Sequence, residues 1–228
     1  MQQINLIAWA MLIYSIFAWG CSESPQQQSA NISQAKAQET PSPKIVPPPA
    51  TEAAAVAAVD QPAPGFELPD LEGNPHKLSD FRGKVVVLHF QSINCPWDVG
   101  YQPILNTTAA EFTGDEVVFV AINSNSTESV EQIKRYATTQ VDYLVLKDPQ
   151  NQVADKYDAA TTPHLYMIDA EGVLRYRGGV EKDPPSPGKV GTSTRQYLVP
   201  VLKAMVGKCT LPATNTKPTG CGIKRISG

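Results

Sequence analysis

Cys95 carries the clearest chemical promise in the chain. It sits in Ser92-Ile93-Asn94-Cys95-Pro96-Trp97-Asp98, directly after the apolar run Val85-Val86-Val87-Leu88-His89-Phe90. The run reads as a buried strand and the residues after Cys95 as a helix. A sulfur at that junction faces unpaired N–H groups and the positive end of the helix dipole, which favour thiolate over thiol. The thiolate is the nucleophile, so the chemistry implied is thiol–disulfide exchange or attack on a peroxide. Far downstream, Thr161-Thr162-Pro163-His164 precedes a second apolar strand, and Cys209 and Cys221 flank a Pro/Thr-rich tail. Two pairings within the chain are open, beside an all-reduced or intermolecular state. A Cys209–Cys221 bridge would close a short loop and stabilise the chain by about 3 kcal/mol. A Cys95–Cys221 pairing would instead fold the tail back to resolve the nucleophile. Lys217, Lys224 and Arg225 of the tail would favour a thiolate if they reach it, and are otherwise solvated charges.

The elements that must position these groups follow from pattern. Strands are expected at Phe66–Leu71, Lys84–Gln91, Glu116–Asn123 and Tyr143–Asp148, with a hairpin of His164–Asp169 and Val173–Arg177 around Ala170-Glu171-Gly172. A helical turn with a Gly stop is expected at Leu78–Gly83, and helices from Cys95 to near Phe112, over Thr127–Thr138 and Val153–Ala159, and over Thr192–Val206 with a break near Pro200. Strands alternating with helices, then a terminal hairpin, argue an α/β fold: helices flanking a central mixed sheet.

The chain has 228 residues and a net charge of −3 with both signs interspersed, giving no footprint for nucleic acid. Ile4 to Gly20 is almost wholly apolar and ends at Ala18-Trp19-Gly20-Cys21-Ser22. Residues 1–21 therefore read as a signal or lipoprotein-type segment, since small residues before a Cys resemble the bacterial lipobox, although Ala18 stands where Leu is usual. Such a segment implies an extracytoplasmic, membrane-anchored protein, held by lipid on Cys21 or by an uncleaved anchor, with an ordinary cleaved signal as the remaining alternative. Residues 22–64 are rich in Pro, Ala and Gln and poor in large apolar side chains, so a disordered N-terminal extension acting as a linker is expected. The folded part is then residues 65–207, with a Cys-containing tail at 208–228.

The order of these motifs resembles the thioredoxin-like superfamily, and within it the redoxin branch of alkyl hydroperoxide reductase/thiol-specific antioxidant type. The resemblance rests on Pro64-Gly65-Phe66-Glu67-Leu68-Pro69-Asp70-Leu71, Leu78-Ser79-Asp80-Phe81-Arg82-Gly83-Lys84, Asn94-Cys95-Pro96-Trp97, Ala121-Ile122-Asn123-Ser124-Asn125, Thr162-Pro163-His164 and Gly220-Cys221-Gly222-Ile223-Lys224. It implies a thioredoxin-like fold, a cis bond before Pro163 and a substrate groove shaped by Thr162 and Pro163. It implies Cys95 as the active-site cysteine and no cofactor or metal. Where thioredoxins place a second, resolving cysteine this chain has Asp98, and where some relatives carry a cysteine it has Ser92. A single local cysteine thus remains, with Cys221 or an external thiol to resolve it. Ser92 also matches the hydroxyl position of the peroxiredoxin motif, while Leu88 replaces that motif's Pro. His89 stands at the spacing of the buried acid that relays protons in thioredoxins. The implied function is a thiol oxidoreductase acting on a protein disulfide or a peroxide, with an external thiol reductant; the other reading is a non-catalytic binding or sensor module on the same fold.

Overall fold

The computed structural model describes residues 56–112, 114 and 116–226. The expected signal segment, Cys21 and most of the linker lie outside the described residues. The linker does not extend to Pro64 as expected. Ala57 and Ala63 are buried, and their N–H groups donate to Lys156 O and Gly172 O at 2.8 and 2.9 Å. Small alanines fit the gap beside the hairpin, so low hydrophobicity hid an ordered strap.

The chain then forms β1 (Glu67–Pro69) and β2 (Pro75–Lys77), an antiparallel pair, and a 3-10 turn at Leu78–Phe81. There follow β3 (Val85–Gln91), α1 (Pro96–Glu111), β4 (Val117–Asn123), α2 (Val130–Gln140), β5 (Leu144–Lys147), α3 (Gln152–Lys156), β6 (Thr161–Thr162), β7 (His164–Ile168), β8 (Leu174–Gly178), α4 (Leu198–Val206) and β9 (Cys221–Gly222). The main sheet has the order β5-β4-β3-β7-β8. β3 runs parallel to β4 and antiparallel to β7, so the sheet is mixed, as the sequence implies. Separately, β6 and β9 form a two-stranded antiparallel ladder.

Every residue of β3 is buried, which is why it reads as a continuous apolar run rather than an alternation. Parity divides its side chains between two cores. Val86, Leu88 and Phe90 pack with Tyr157, Tyr166 and Leu68, with the Tyr157 and Tyr166 rings edge-on at 5.2 Å. Val85 and Val87 pack with Tyr101 and Leu105 of α1 and Val201 and Leu202 of α4. His89 shares the parity of Val85 and Val87, so it points to the α1 side.

Two helices start later than the sequence suggests. α2 begins at Val130 because Ser129 caps it: its hydroxyl accepts the Gln132 N–H, and Gln132 Oε1 accepts the Ser129 N–H at 2.9 Å. α4 begins at Leu198, which leaves Pro200 in its first turn, where a missing N–H costs nothing. Residues 192–197 are diverted by the buried Glu181 carboxylate, which accepts from the Ser193 N–H and Gln196 Nε2, both at 2.8 Å.

β7 opens with His164, buried directly after Pro163. Burial, then the charge of Arg177, hold its imidazole down at about 4 against an ordinary 6.5. The folded state accepts only the neutral ring. Its contribution is therefore complete above pH 6.5 and lost as pH falls toward 4, a loss of about 3 kcal/mol. Urea unfolding at pH 7 and pH 4 should show the wild type losing about 3 kcal/mol more than His164→Gln over that interval; equal losses would remove His164 from the acid response.

Candidate active site

Cys95 is the N-cap residue of α1, with extended backbone and Pro96 at the first helical position, as the strand-to-helix reading requires. Its side chain is 1 % exposed. Sγ donates to the carbonyl of Thr162 at 3.0 Å. The Thr162–Pro163 bond is cis. The Thr162 hydroxyl is buried with no hydrogen-bond partner.

The tail supplies a second sulfur. β9 pairs with β6 in the register Thr161↔Gly222 and Thr162↔Cys221. Directly opposed residues of an antiparallel pair share a face, so the Thr162 and Cys221 side chains stand together. Cys221 is a free thiol lying beside Cys95, also a free thiol. The Cys209–Cys221 bridge is therefore not formed, and the site holds two thiols rather than one. Burial, followed by the nearness of Cys95, pushes the Cys221 thiol up to about 11, with Lys224 opposing.

Two buried carboxylates hold the turn that carries Cys95. Asp98, in the first turn of α1, accepts from the Ser92 N–H at 2.6 Å and pairs with His89 Nε2 at 2.8 Å. Burial raises its carboxyl above the usual range, against the pull of His89. The other ring nitrogen of His89 faces the Tyr143 hydroxyl at 3.0 Å. The two ring nitrogens are thus occupied by Asp98 and Tyr143, not by the sulfur. Asp98 is more than the absence of a cysteine: it ties strand β3 to the start of the helix.

Glu128, between β4 and α2, is the second carboxylate and escaped the sequence reading. It accepts from the Ser92 hydroxyl at 2.6 Å, the Ile93 and Asn94 N–H groups at 3.2 Å, Asn94 Nδ2 at 3.1 Å and Asn123 Nδ2 at 2.5 Å. The Ser92 hydroxyl is committed to this carboxylate; among the described residues the buried hydroxyls without a partner are those of Thr161 and Thr162. Asn123 Oδ1 in turn accepts from Lys147 Nζ at 3.0 Å. A sequence signal did exist: Asn123-Ser124-Asn125 ends a buried strand with amides and a hydroxyl that need partners. Trp97 is only partly buried beside the pair of thiols. Glu128→Ala strands several buried donors at once and should cost about 3 kcal/mol or more, against a smaller loss for Glu128→Gln; denaturant unfolding of both checks this, and equal small losses would show the turn holds itself.

Comparison with known proteins agrees with this geometry. The model of the AhpC/TSA family matches residues 59–177. Thiol-disulfide oxidoreductase ResA of Geobacillus kaustophilus is 34% identical over 127 residues, 55% of this chain and 71% of that protein. Thioredoxin-like protein YneN of Bacillus subtilis is 32% identical over 117 residues, 50% of this chain and 68% of that one. Among solved structures, a hypothetical protein from Sinorhizobium meliloti superposes with a TM-score of 0.68 at 29% identity, covering 75% of this chain and 96% of that one. An uncharacterized conserved protein from Geobacillus kaustophilus gives 0.69 at 28% identity, covering 75% and 94%. With its mixed sheet, its cysteine capping α1 and its cis Thr162–Pro163 bond facing that cysteine, the chain belongs to the AhpC/TSA family of thioredoxin-like fold.

Proposed function

We propose that this chain is a thiol oxidoreductase whose working couple is Cys95 and Cys221. The observation that carries this reading is the meeting of two free thiols at Thr162, one capping a helix and bonded to the Thr162 carbonyl, the other delivered opposite Thr162 by the tail. The Cys95 thiolate attacks a disulfide sulfur or a peroxide oxygen, giving a mixed disulfide or a sulfenic acid. The Cys221 thiolate then attacks Cys95 Sγ, expelling the substrate thiolate or hydroxide, which leaves protonated, and closing a Cys95–Cys221 disulfide. An external thiol restores both thiols. The cis Thr162–Pro163 segment fixes the height of Cys95 by accepting its hydrogen bond.

The similarity to ResA, a protein named as a thiol-disulfide oxidoreductase, supports the disulfide branch of this chemistry. The location proposed is extracytoplasmic and membrane-tethered. It draws on the apolar run Ile4–Gly20 and the lipobox-like Ala18-Trp19-Gly20-Cys21. No helix among the described residues is long and apolar enough to cross a membrane.

Peptide mapping by mass spectrometry after one equivalent of hydrogen peroxide or a small disulfide should find Cys95 joined to Cys221. Cys95→Ser should lower the rate of substrate reduction by about 100-fold or more. A Cys95 that stays an untouched thiol, with activity unchanged by Cys95→Ser, would leave the chain a binding module on this fold.

A further inference from the structure

The segment that brings Cys221 to the site is fixed on both sides of it. Upstream, the tail runs beside β8: Arg177 N–H donates to Thr214 O, and Thr216 N–H to Arg177 O, each at 3.0 Å. The Thr216 hydroxyl lies 2.6 Å from that of Tyr176. Downstream, Ile223 is buried in the core and its N–H donates to Ala160 O at 3.0 Å. Lys224 N–H donates to Asn125 Oδ1 and Ile226 N–H to Asn151 Oδ1, both at 2.9 Å, and Arg225 pairs with Asp155 at 3.3 Å. Between these fixtures the backbone lies tight against the cis segment. A Cβ added at Gly220 would overlap the Thr162 carbonyl, the same group that accepts from Cys95. The backbone edge of Thr161–Thr162 is thus paired within the chain, and no extended polypeptide can pair with it while the tail is docked. Behind this wall Cys95 is 1 % exposed, while Cys221 is partly open to solvent.

We infer that the docked tail walls the strand edge beside Cys95, leaving Cys95 to substrates that do not pair along β6, and that an external thiol reduces the oxidised couple by attacking Cys221, not Cys95. The inference rests on the Cys95–Cys221 couple proposed above. The reductant thiolate forms a bond to Cys221 Sγ as the Cys95–Cys221 bond breaks. The electron pair of that bond stays on Cys95, which leaves as thiolate and takes up a proton. A second reductant thiolate attacks the sulfur of the first, giving the reductant disulfide and releasing Cys221 to be protonated. Two external thiols are oxidised and one protein disulfide is reduced. The reductant must present its sulfur on a small molecule or a protruding tip rather than on a strand laid along β6.

The full chain is oxidised with one equivalent of peroxide, treated with an equimolar amount of reduced glutathione, quenched in acid and mapped. Glutathione on Cys221, with Cys95 as the free thiol, is the expected result. Glutathione on Cys95 with Cys221 free would overturn the inference while leaving the couple intact. A chain in which peroxide forms no Cys95–Cys221 bond would overturn the couple itself, and this inference with it. A second arm starts from the reduced Cys221→Ser chain and measures modification of Cys95 by glutathione disulfide. Adding Gly220→Ala, which forces the tail away from Thr162, should speed that modification by about tenfold or more; equal rates would show that the tail is no wall.

Discussion

The turn from Ser92 to Asp98 is where the whole arrangement is decided, and two buried carboxylates hold it. Peptide N–H groups at the end of a strand and the start of a helix lack partners within either element. Here Asp98 and Glu128 take those of Ser92, Ile93 and Asn94. A buried carboxylate is itself costly unless it accepts several hydrogen bonds, so turn and carboxylates satisfy each other. From that mutual satisfaction follows the position of Cys95, and from the position of Cys95 its contact with Thr162. Remove either acid and the remaining groups are left buried without partners.

The same logic joins distant parts of the chain. Glu128 lies between β4 and α2, yet it bonds the loop between β3 and α1. Asn123 bonds Glu128 and also accepts from Lys147 on β5. Asn125 donates to Gln91 O and accepts from the Lys224 N–H of the tail. The ends of β3, β4 and β5 and the tail thus form one polar floor beneath two sulfurs, enclosed by apolar packing on both faces of the sheet.

Much of this was legible in the sequence. β3 announced itself as an unbroken apolar run, the β7–β8 hairpin by its Ala170-Glu171-Gly172 turn, and Cys95 by its place at a strand-to-helix junction. The less legible parts depend on partners far away. β9 is two residues long and has no periodicity, so nothing local marked it as a strand. Glu128, between Thr127 and Ser129, reads as a solvated acid because its donors come mostly from residues 92–94. Asp98 read as a missing cysteine, since its value lies in His89 and the Ser92 N–H. Ala57 and Ala63 read as linker because their small size suits a gap that only the folded hairpin creates. In each case the sequence shows the residue while the fold supplies its surroundings.

The pairing of β6 with β9 also bears on the order in which the molecule can assemble. Cys95 and Cys221 are separated by 126 residues (221 minus 95), so their meeting is among the most non-local contacts in the fold, and such contacts form late because the loop entropy must be overcome first. Until β9 docks, the Cys95 thiol lacks its neighbour and the core lacks Ile223. In an oxidising compartment a thiol exposed during that interval is open to wrong partners among the chain's 4 cysteines. Completion of the site is therefore a late signature of folding: the two sulfurs come together only once β9 has docked on β6.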